Sequence, residues 1–504
     1  MLKNKSIIAL LGCCILGTAS CKKFLDVNTN PNVAHTVTME TMLPAAQLYV
    51  GSALGCDLNL TGAYWVQYWT QSPSASQYVN LDKYSIGQDQ WSAAWRNLYY
   101  GAENFYQLSK LADSQKSKQY KAISLLMSAY TFQLITDGWG DVPYREALNG
   151  QPSDGYKVNP KYDSQLVVYN GILNLIDSAN KYIDVAADNK VQNVDLVYQG
   201  NMSKWLKFSN TLKLKTLMRM LNRNTTGVTA AINTFLATGP DFIGSGDGAM
   251  IYYGGNTNSR NPMYDEEYHL NFTQNFIASK TSIDSLLSNN DYRIGAFYNT
   301  NAAGGFAGIP QGLLSNNFTV TSNSTPSSTV GADPSNSASA NAPVIFISAS
   351  ESYFLQAEAI VKGFITGDDS AMYYQGVYES FSFYGSAINS AFSVSADTAY
   401  GRYVMGEAGA APGYWAVYPT HGTSAARLQF IATQKWFSMN GNQGYEAWCE
   451  YRRTGYPDFL TIPLDRSNAS VDHPARLLYP TTESNVNANY PGLQLLNSKV
   501  WWAK

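Results

Sequence analysis

Lys204-Trp205-Leu206-Lys207-Phe208-Ser209-Asn210-Thr211-Leu212-Lys213-Leu214-Lys215-Thr216-Leu217-Met218-Arg219-Met220-Leu221-Asn222 is the stretch whose reading decides the fold class. Trp205, Phe208 and Leu212, then Leu214, Leu217 and Leu221, recur at three- and four-residue spacing, which places them on one stripe of an α-helix turned to a core. Lys207, Lys215 and Arg219 fall on a neighbouring face. They read as a solvated helix surface rather than as a phosphate-binding set.

The same periodicity recurs over residues 38–54, 88–110, 116–135 and 162–180, and again over 268–287, 351–364, 369–384, 424–439 and 445–453. Strand patterns are few. The expectation is a mainly α fold whose helices pair through short connections. Segments 351–364 and 369–384 have the size and the alanine and aromatic content of a repeated helical hairpin, with Ala357, Ala359 and Gly363 permitting close contact opposite Tyr353, Phe354 and Leu355. Irregular regions interrupt the helices at about 240–262, 299–343 and 392–419. Residues 322–341 are almost all Ser, Thr, Asn, Pro, Gly and Ala, with Asp333 as their one charge. Such a composition predicts a surface loop or a partly disordered segment.

The chain has 504 residues, of which 34 Lys+Arg face 37 Asp+Glu for a formal charge of -3. Soluble domains carry about a quarter charged residues, whereas here 14% are charged and 45% hydrophobic. The surface is therefore covered largely by groups that hydrogen-bond without charge. With no concentrated positive field, nucleic acid and anionic bilayers are excluded as main partners.

The start, MLKNKSIIALLGCCILGTAS, sets Lys3 and Lys5 before a short apolar run, the pattern of a signal peptide over residues 1–20. Its end, Leu16-Gly17-Thr18-Ala19-Ser20-Cys21, resembles a bacterial lipobox, so Cys21 is the expected lipidation site; ordinary secretion after cleavage near Ala19 or Ser20 is the alternative. No later run of 18 apolar residues follows, which leaves the lipid as the expected attachment. Cys56 and Cys449 then remain, either for one disulfide or as buried free thiols.

Searching for chemistry yields little. None of the G-x-S-x-G, H-E-x-x-H, G-x-x-x-x-G-K-[ST] or G-x-G-x-x-G patterns occurs. Asp265-Glu266-Glu267, and Asp137 with Asp141, read as caps or turn formers. Glu446 and Glu450, one helical turn apart beside Arg452 and Arg453, read as an ion network at a helix end. The four histidines, His35, His269, His421 and His473, are widely separated and supply no local zinc ligand set. No metal, cofactor or catalytic residue is predicted.

Aromatics are more informative. With 11 Trp and 36 Tyr, several rings lie in polar, turn-rich contexts: Tyr64, Trp65, Tyr68, Trp69, Tyr78 and Tyr84; Tyr252 and Tyr253, with Tyr264 and Tyr268; and Tyr414, Trp415 and Tyr418. An aromatic plate flanked by Asn, Gln and Asp suits the C–H face of a sugar ring. Trp65, Trp69 and Trp415 lead as candidate ligand-binding residues, because Gly, Pro, Gln or Ser neighbours suggest a loop or an element edge. Tyr64, Tyr78, Tyr264 and Tyr418 follow.

Several motifs together resemble the SusD/RagB family of Bacteroidota surface lipoproteins, in its nutrient-binding SusD-like branch. They are Cys21-Lys22-Lys23-Phe24-Leu25-Asp26-Val27-Asn28-Thr29-Asn30-Pro31-Asn32, Gln133-Leu134-Ile135-Thr136-Asp137-Gly138-Trp139-Gly140-Asp141-Val142-Pro143-Tyr144, Ser350-Glu351-Ser352-Tyr353-Phe354-Leu355-Gln356-Ala357-Glu358-Ala359, Gly444-Tyr445-Glu446-Ala447-Trp448-Cys449-Glu450-Tyr451-Arg452-Arg453 and His473-Pro474-Ala475-Arg476-Leu477-Leu478-Tyr479-Pro480. The resemblance implies a single domain over residues 21–504 with tetratricopeptide-like helix pairs and an inserted, loop-rich ligand-binding part. It also implies a lipid anchor at the outer membrane, exposure at the cell surface and association with a SusC-like TonB-dependent transporter. The implied function is capture of an oligosaccharide or other nutrient, without catalysis, and its delivery to that transporter. Three other readings remain: a peptide-binding member of the same machinery; a secreted glycoside hydrolase, which needs two cleft carboxylates roughly 5 to 10 Å apart; and a structural surface lipoprotein.

Overall fold

The computed structural model describes residues 37–186, 191–223, 225–313, 317–407, 409–466 and 471–504. The leader and Cys21 lie outside the described residues. The scaffold helices are α1 (Met39–Ala53), α2 (Ser92–Ser114), α3 (Lys118–Trp139), α4 (Gln165–Asn180), α5 (Met202–Met220), α6 (Ala349–Val361), α7 (Asp369–Phe383), α8 (Ser424–Ser438) and α9 (Gly444–Thr454). Helix α2 packs between α1 and α3, α3 packs on α4, α6 on α7, and α8 on both α6 and α9. These consecutive pairs make the fold mainly α with a tetratricopeptide-like arrangement. Irregular chain, not sheet, fills the space between them.

Helix α5 shows how sequence dictates the element. The Asn201 side chain accepts from the Lys204 amide and so caps the first turn. Trp205, Phe208, Leu212, Leu214 and Leu217 are buried along the expected stripe. The neighbouring face is not solvated, however: Lys215 is 3% and Arg219 1% exposed. Only Lys207 keeps partial contact with water, beside Asp247 at 2.9 Å. Lys215 and Arg219 are buried because acids from three other helices meet them. Arg219 pairs with Asp137 of α3 and with Glu446 and Glu450 of α9, while Lys215 reaches Glu351 of α6 and Glu446, both at 2.9 Å.

The network continues through Lys435 of α8 to Glu450 at 2.8 Å, and through Arg453 to Glu450 at 2.7 Å and Glu358 at 2.6 Å. The ion network expected at the end of α9 thus extends across five helices. Its partner Arg452 acts differently, donating to the Asp137 and Ala475 carbonyls and lying 3.4 Å from the Trp448 ring centre. Against the upward push of burial, Arg219, Lys215 and Lys435 hold Glu446, and Arg453, Lys435 and Arg219 hold Glu450, below the usual carboxylate range.

Three two-stranded antiparallel sheets occur among the described residues: β1 (Trp69–Gln71) with β5 (Phe276–Ala278), β2 (Val142–Pro143) with β3 (Tyr162–Asp163), and β4 (Ala249–Ile251) with β6 (Val344–Ile347). The first corrects the helix expected over 268–287. Asn271 and Phe272 adopt left-handed backbone at φ 59° and 53° and end the helix Pro262–His269; β5 then follows, and a new helix spans Lys280–Ser288.

Two irregular regions also differ from expectation. Within 392–419 lies the helix Ala396–Met405, capped by Ser395, and the helix Thr225–Leu236 had no counterpart in the periodicity. Residues 322–341 are not a surface loop: Ser324, Ala332 and Ser339 are fully buried. Small side chains allow this because their polar atoms are satisfied internally. Asn299 donates to Asp333 at 2.9 Å, the Ser339 hydroxyl to the Asp333 carbonyl at 2.8 Å, and the Ser327 hydroxyl to the Ala296 carbonyl. Ala357 and Ala359 are buried as expected, but Gly363, at φ 79° with open space around it, terminates α6 rather than packing it. Cys56 and Cys449 are free thiols.

Candidate functional site

Pairing of β1 with β5 sets Trp69 opposite Ala278 and Gln71 opposite Phe276, and thereby draws the loop 72–80 against residues 262–275. Buried Gln71 organises the junction. Its amide donates to the carbonyls of Ala75 (2.8 Å) and Asn275 (3.0 Å), and its carbonyl accepts from the Tyr78 amide at 2.8 Å. The Ser72 amide also donates to the Asn275 carbonyl at 3.0 Å.

On the facing side, Asn261 caps the helix Pro262–His269 by accepting from the amides of Met263 and Tyr264, and it anchors that helix by donating to the Ala342 carbonyl at 2.9 Å. Where the helix stops, left-handed Phe272 turns its ring outward. Phe272 is 42% and Tyr268 41% exposed, with ring centres 5.1 Å apart and planes at 78°. Buried Tyr264 supports Phe272 from 5.7 Å. The Arg260 guanidinium lies 3.9 Å from the centre of Tyr268 and 3.4 Å from Asp265. A bulky residue in left-handed backbone is strained. Here it places an aromatic ring on the surface, between exposed Asn271 and Thr273.

Beneath this surface sits a polar layer. Glu267 is fully buried; one carboxylate oxygen accepts from Asn275 at 3.0 Å, the Tyr78 hydroxyl lies by the carboxylate, and the hydroxyl of Tyr64 has no partner. Burial, with repulsion from Glu266, raises Glu267 to about 7 against hydrogen bonds from Asn275 and the Tyr78 hydroxyl. Nearby Asp57 rises to about 6 for the same two reasons, burial first. Sealed from solvent, Glu267 is not offered to a substrate. What the surface presents is apolar ring area at the centre, Arg260, Asp265 and His269 beside Tyr268, and the uncharged side chains of Asn271 and Thr273 beside Phe272, apolar area with polar partners of the kind that receives a sugar ring.

Structure relocates the residues that sequence placed in a binding platform. Trp65 is in the core because the helix Asn59–Trp65 crosses α9 at backbone contact: a side chain on Gly62 would meet the Gly444 carbonyl at 2.1 Å. That crossing sets Trp65 edge-on to Trp448 at 4.8 Å and to Trp91 at 5.6 Å. Trp69 lies on an element edge, as its neighbours suggest, but stacks inward on Phe276 at 4.7 Å. Tyr64 is fully buried and Tyr78 nearly so, edge to face at 6.1 Å.

Tyr418 is buried against Tyr373, its hydroxyl donating to Asp369 at 2.6 Å. Trp415 is half-buried on a short helical turn, held between exposed Tyr414 at 4.8 Å and Phe430 at 4.7 Å. Thus Tyr264 packs against Phe272 at this surface, while Tyr78 packs on Tyr64 and Phe276. Trp65, Trp69 and Tyr418 do not reach the surface. Phe272 and Arg260 were missed by sequence reasoning, although Asn271 and Thr273 give Phe272 the same polar context that drew attention to the tryptophans.

No curated protein sequence matches the chain. Among solved structures, a chitin-binding protein is 23% identical with TM-score 0.73, covering 93% of this chain and 100% of its own. A SusD homologue from Bacteroides fragilis is 22% identical with TM-score 0.74, covering 93% and 99%. A chitin-binding SusD homologue from Flavobacterium johnsoniae is 20% identical with TM-score 0.72, covering 92% and 98%. At these identities the likeness establishes the fold. A family model described as SusD-like, starch-binding and associating with the outer membrane matches residues 31–480, and the chain belongs to that SusD-like family.

Proposed function

We propose that the protein captures a glycan at the outer cell surface and passes it, chemically unchanged, to a SusC-like TonB-dependent transporter. The observation that carries this reading is the pair Tyr268 and Phe272, held outward by a capped helix and a left-handed turn and bordered by Arg260 and by the uncharged polar side chains of Asn271 and Thr273. In this reading Tyr268 and Phe272 stack on the ring, and Asn271 and Thr273 orient its hydroxyls. Tyr264 supports the platform from below, and Trp415 with Tyr414 forms a separate, lesser aromatic surface. The starch- and chitin-binding descriptions of the family and of two structural neighbours support a carbohydrate cargo.

Residues 1–20 are removed as a signal peptide, and Cys21 carries the lipid that holds the remaining single domain, 21–504, to the outer membrane. Among the described residues no helix is long and apolar enough to cross a membrane, which supports an anchor of this kind. A Cys21→Ala variant is expected to leave the membrane fraction; its retention there would overturn the anchor. Binding is tested on a combined glycan and peptide array, followed by calorimetry. The expected result is saturable glycan binding that falls about fivefold to thirtyfold in Tyr268→Ala and in Phe272→Ala. Preferential peptide binding would move the protein to the peptide-capturing branch.

A further inference from the structure

A second cleft, of about 220 Å³, opens between the end of the β4–β6 sheet, the start of α6 and the end of α7. It shares no lining residue with the surface at Tyr268 and Phe272. Its volume equals that of roughly seven waters at about 30 Å³ each, enough for one ring with its substituents and too small for an extended chain.

The lining is chemically selective. Hydroxyls come from Ser348, Ser350, Ser380, Ser382 and Ser438, joined by the side chain of Gln443. Glu379 is the one formal charge, and no Lys or Arg contributes. Anions such as phosphate or carboxylate are therefore disfavoured, and a single carboxylate is a poor cage for a divalent cation, which takes six to eight oxygens in the case of calcium. Both hydrogen bonds to Glu379, from Ser245 and from Gln375 at 2.8 Å, fall on one oxygen. Among the described residues no hydrogen bond reaches the second oxygen, which is left to accept from a ligand hydroxyl.

Three aromatic residues line the cleft, buried Tyr384 and two exposed rings. Tyr252 is 69% exposed and stands clear of other rings among the described residues, and Phe383 is 41% exposed. Exposed rings beside buried hydroxyls and a carboxylate acceptor form the same division of labour that suits a sugar: apolar area for its C–H face and acceptors for its hydroxyls.

We infer that this cleft is a second binding site, for a single neutral sugar unit or an equivalent small polyol. Tyr252 and Phe383 supply the apolar walls, and Glu379 accepts a hydroxyl from the ring.

The test uses the full-length protein in a detergent without a sugar headgroup. Saturation-transfer NMR and calorimetry are run with glucose, galactose, mannose and N-acetylglucosamine, and with inorganic phosphate as the anion control. At least one sugar is expected to bind saturably and phosphate is not. Measured in a Tyr268→Ala/Phe272→Ala background, which removes the first glycan surface, affinity is expected to fall tenfold or more on adding Tyr252→Ala or Glu379→Gln. Ser382→Trp blocks the mouth from an exposed position that makes no buried bond, so in the same background it is expected to abolish binding without lowering the melting temperature, even if Glu379→Gln destabilises the fold. Absence of saturable monosaccharide binding overturns the inference. So does binding that survives Ser382→Trp. Loss of binding in the Tyr268→Ala/Phe272→Ala background itself overturns it as well, while leaving the reading of the first glycan surface intact.

Discussion

Tyr268, Phe272 and Trp65 are all large aromatic residues, and burial alone assigns them different work. Tyr268 and Phe272 expose more than a third of their surface, so truncation removes a stacking plate and little packing. Tyr268→Ala and Phe272→Ala are expected to weaken glycan binding by about 1 to 2 kcal/mol each with melting temperatures near wild type. Trp65 is wedged between Trp91 and Trp448 with its ring fully enclosed. Its replacement by Ala leaves a cavity and is expected to cost about 3 to 5 kcal/mol of stability. Thermal melts paired with calorimetry separate the two cases; a large stability loss in Phe272→Ala, or none in Trp65→Ala, would reverse the assignment. Polar neighbours in sequence marked Trp65 as a surface residue, yet its burial follows from Gly62 meeting Gly444 across nearly four hundred residues. A local window cannot see that contact.

At the scale of elements, periodicity succeeded where a helix has one apolar stripe and failed where another influence ends or shortens it. The stripe of α5 was legible from Trp205 to Leu217 because hydrophobic spacing is a local property. The break within 268–287 was not, because left-handed backbone at Asn271 and pairing of β5 with β1 override the helical pattern. Short helices such as Thr225–Leu236 and Ala396–Met405 lack a long repeat to announce them. The charged face of α5 was misread for a further reason: its partners lie on α3, α6 and α9, and only the assembled fold shows that they converge. Removing one partner leaves buried charges unpaired. Arg219→Met is therefore expected to destabilise by about 3 to 5 kcal/mol, because Asp137 loses its ion-pair partner and Glu446 is left with Lys215 alone. Adding Glu446→Gln to that variant should recover part of the loss, as measured by chemical denaturation. A double variant less stable than the sum of the two single changes would contradict the coupling.

Across the whole molecule, a low content of charge is combined with deep placement of much of it, and the result is a defined response to pH. Burial raises Asp82 to about 7 despite hydrogen bonds from Thr70, the Gln71 and Gly312 amides and Gln311. Glu267 and Asp57 are raised to about 7 and about 6. For a carboxyl held high in the folded state, the associated stability is full below its unfolded pKa and is lost as pH rises through the folded value. Glu358, Glu446 and Glu450 lie on the other side: arginine and lysine partners hold them low, so their contribution is present above about pH 4.5 and is lost as pH falls through their folded values. The two sets bracket an optimum on the acid side of neutrality. Melting temperature is expected to decline from about pH 5 to about pH 7.5. Glu267→Gln keeps an acceptor for Asn275 but removes the titration, so it should flatten that decline. The group's share is on the order of 3 kcal/mol, large enough to read in a buffer series by differential scanning calorimetry. Because Glu267 shares the helix of Tyr264 and Tyr268, its ionisation also introduces a buried charge that has no ion-pair partner among the described residues next to the binding surface above about pH 7. Glycan affinity should fall over the same interval in the wild type and hold steady in Glu267→Gln. An affinity that declines equally in both proteins would place the titrating group elsewhere.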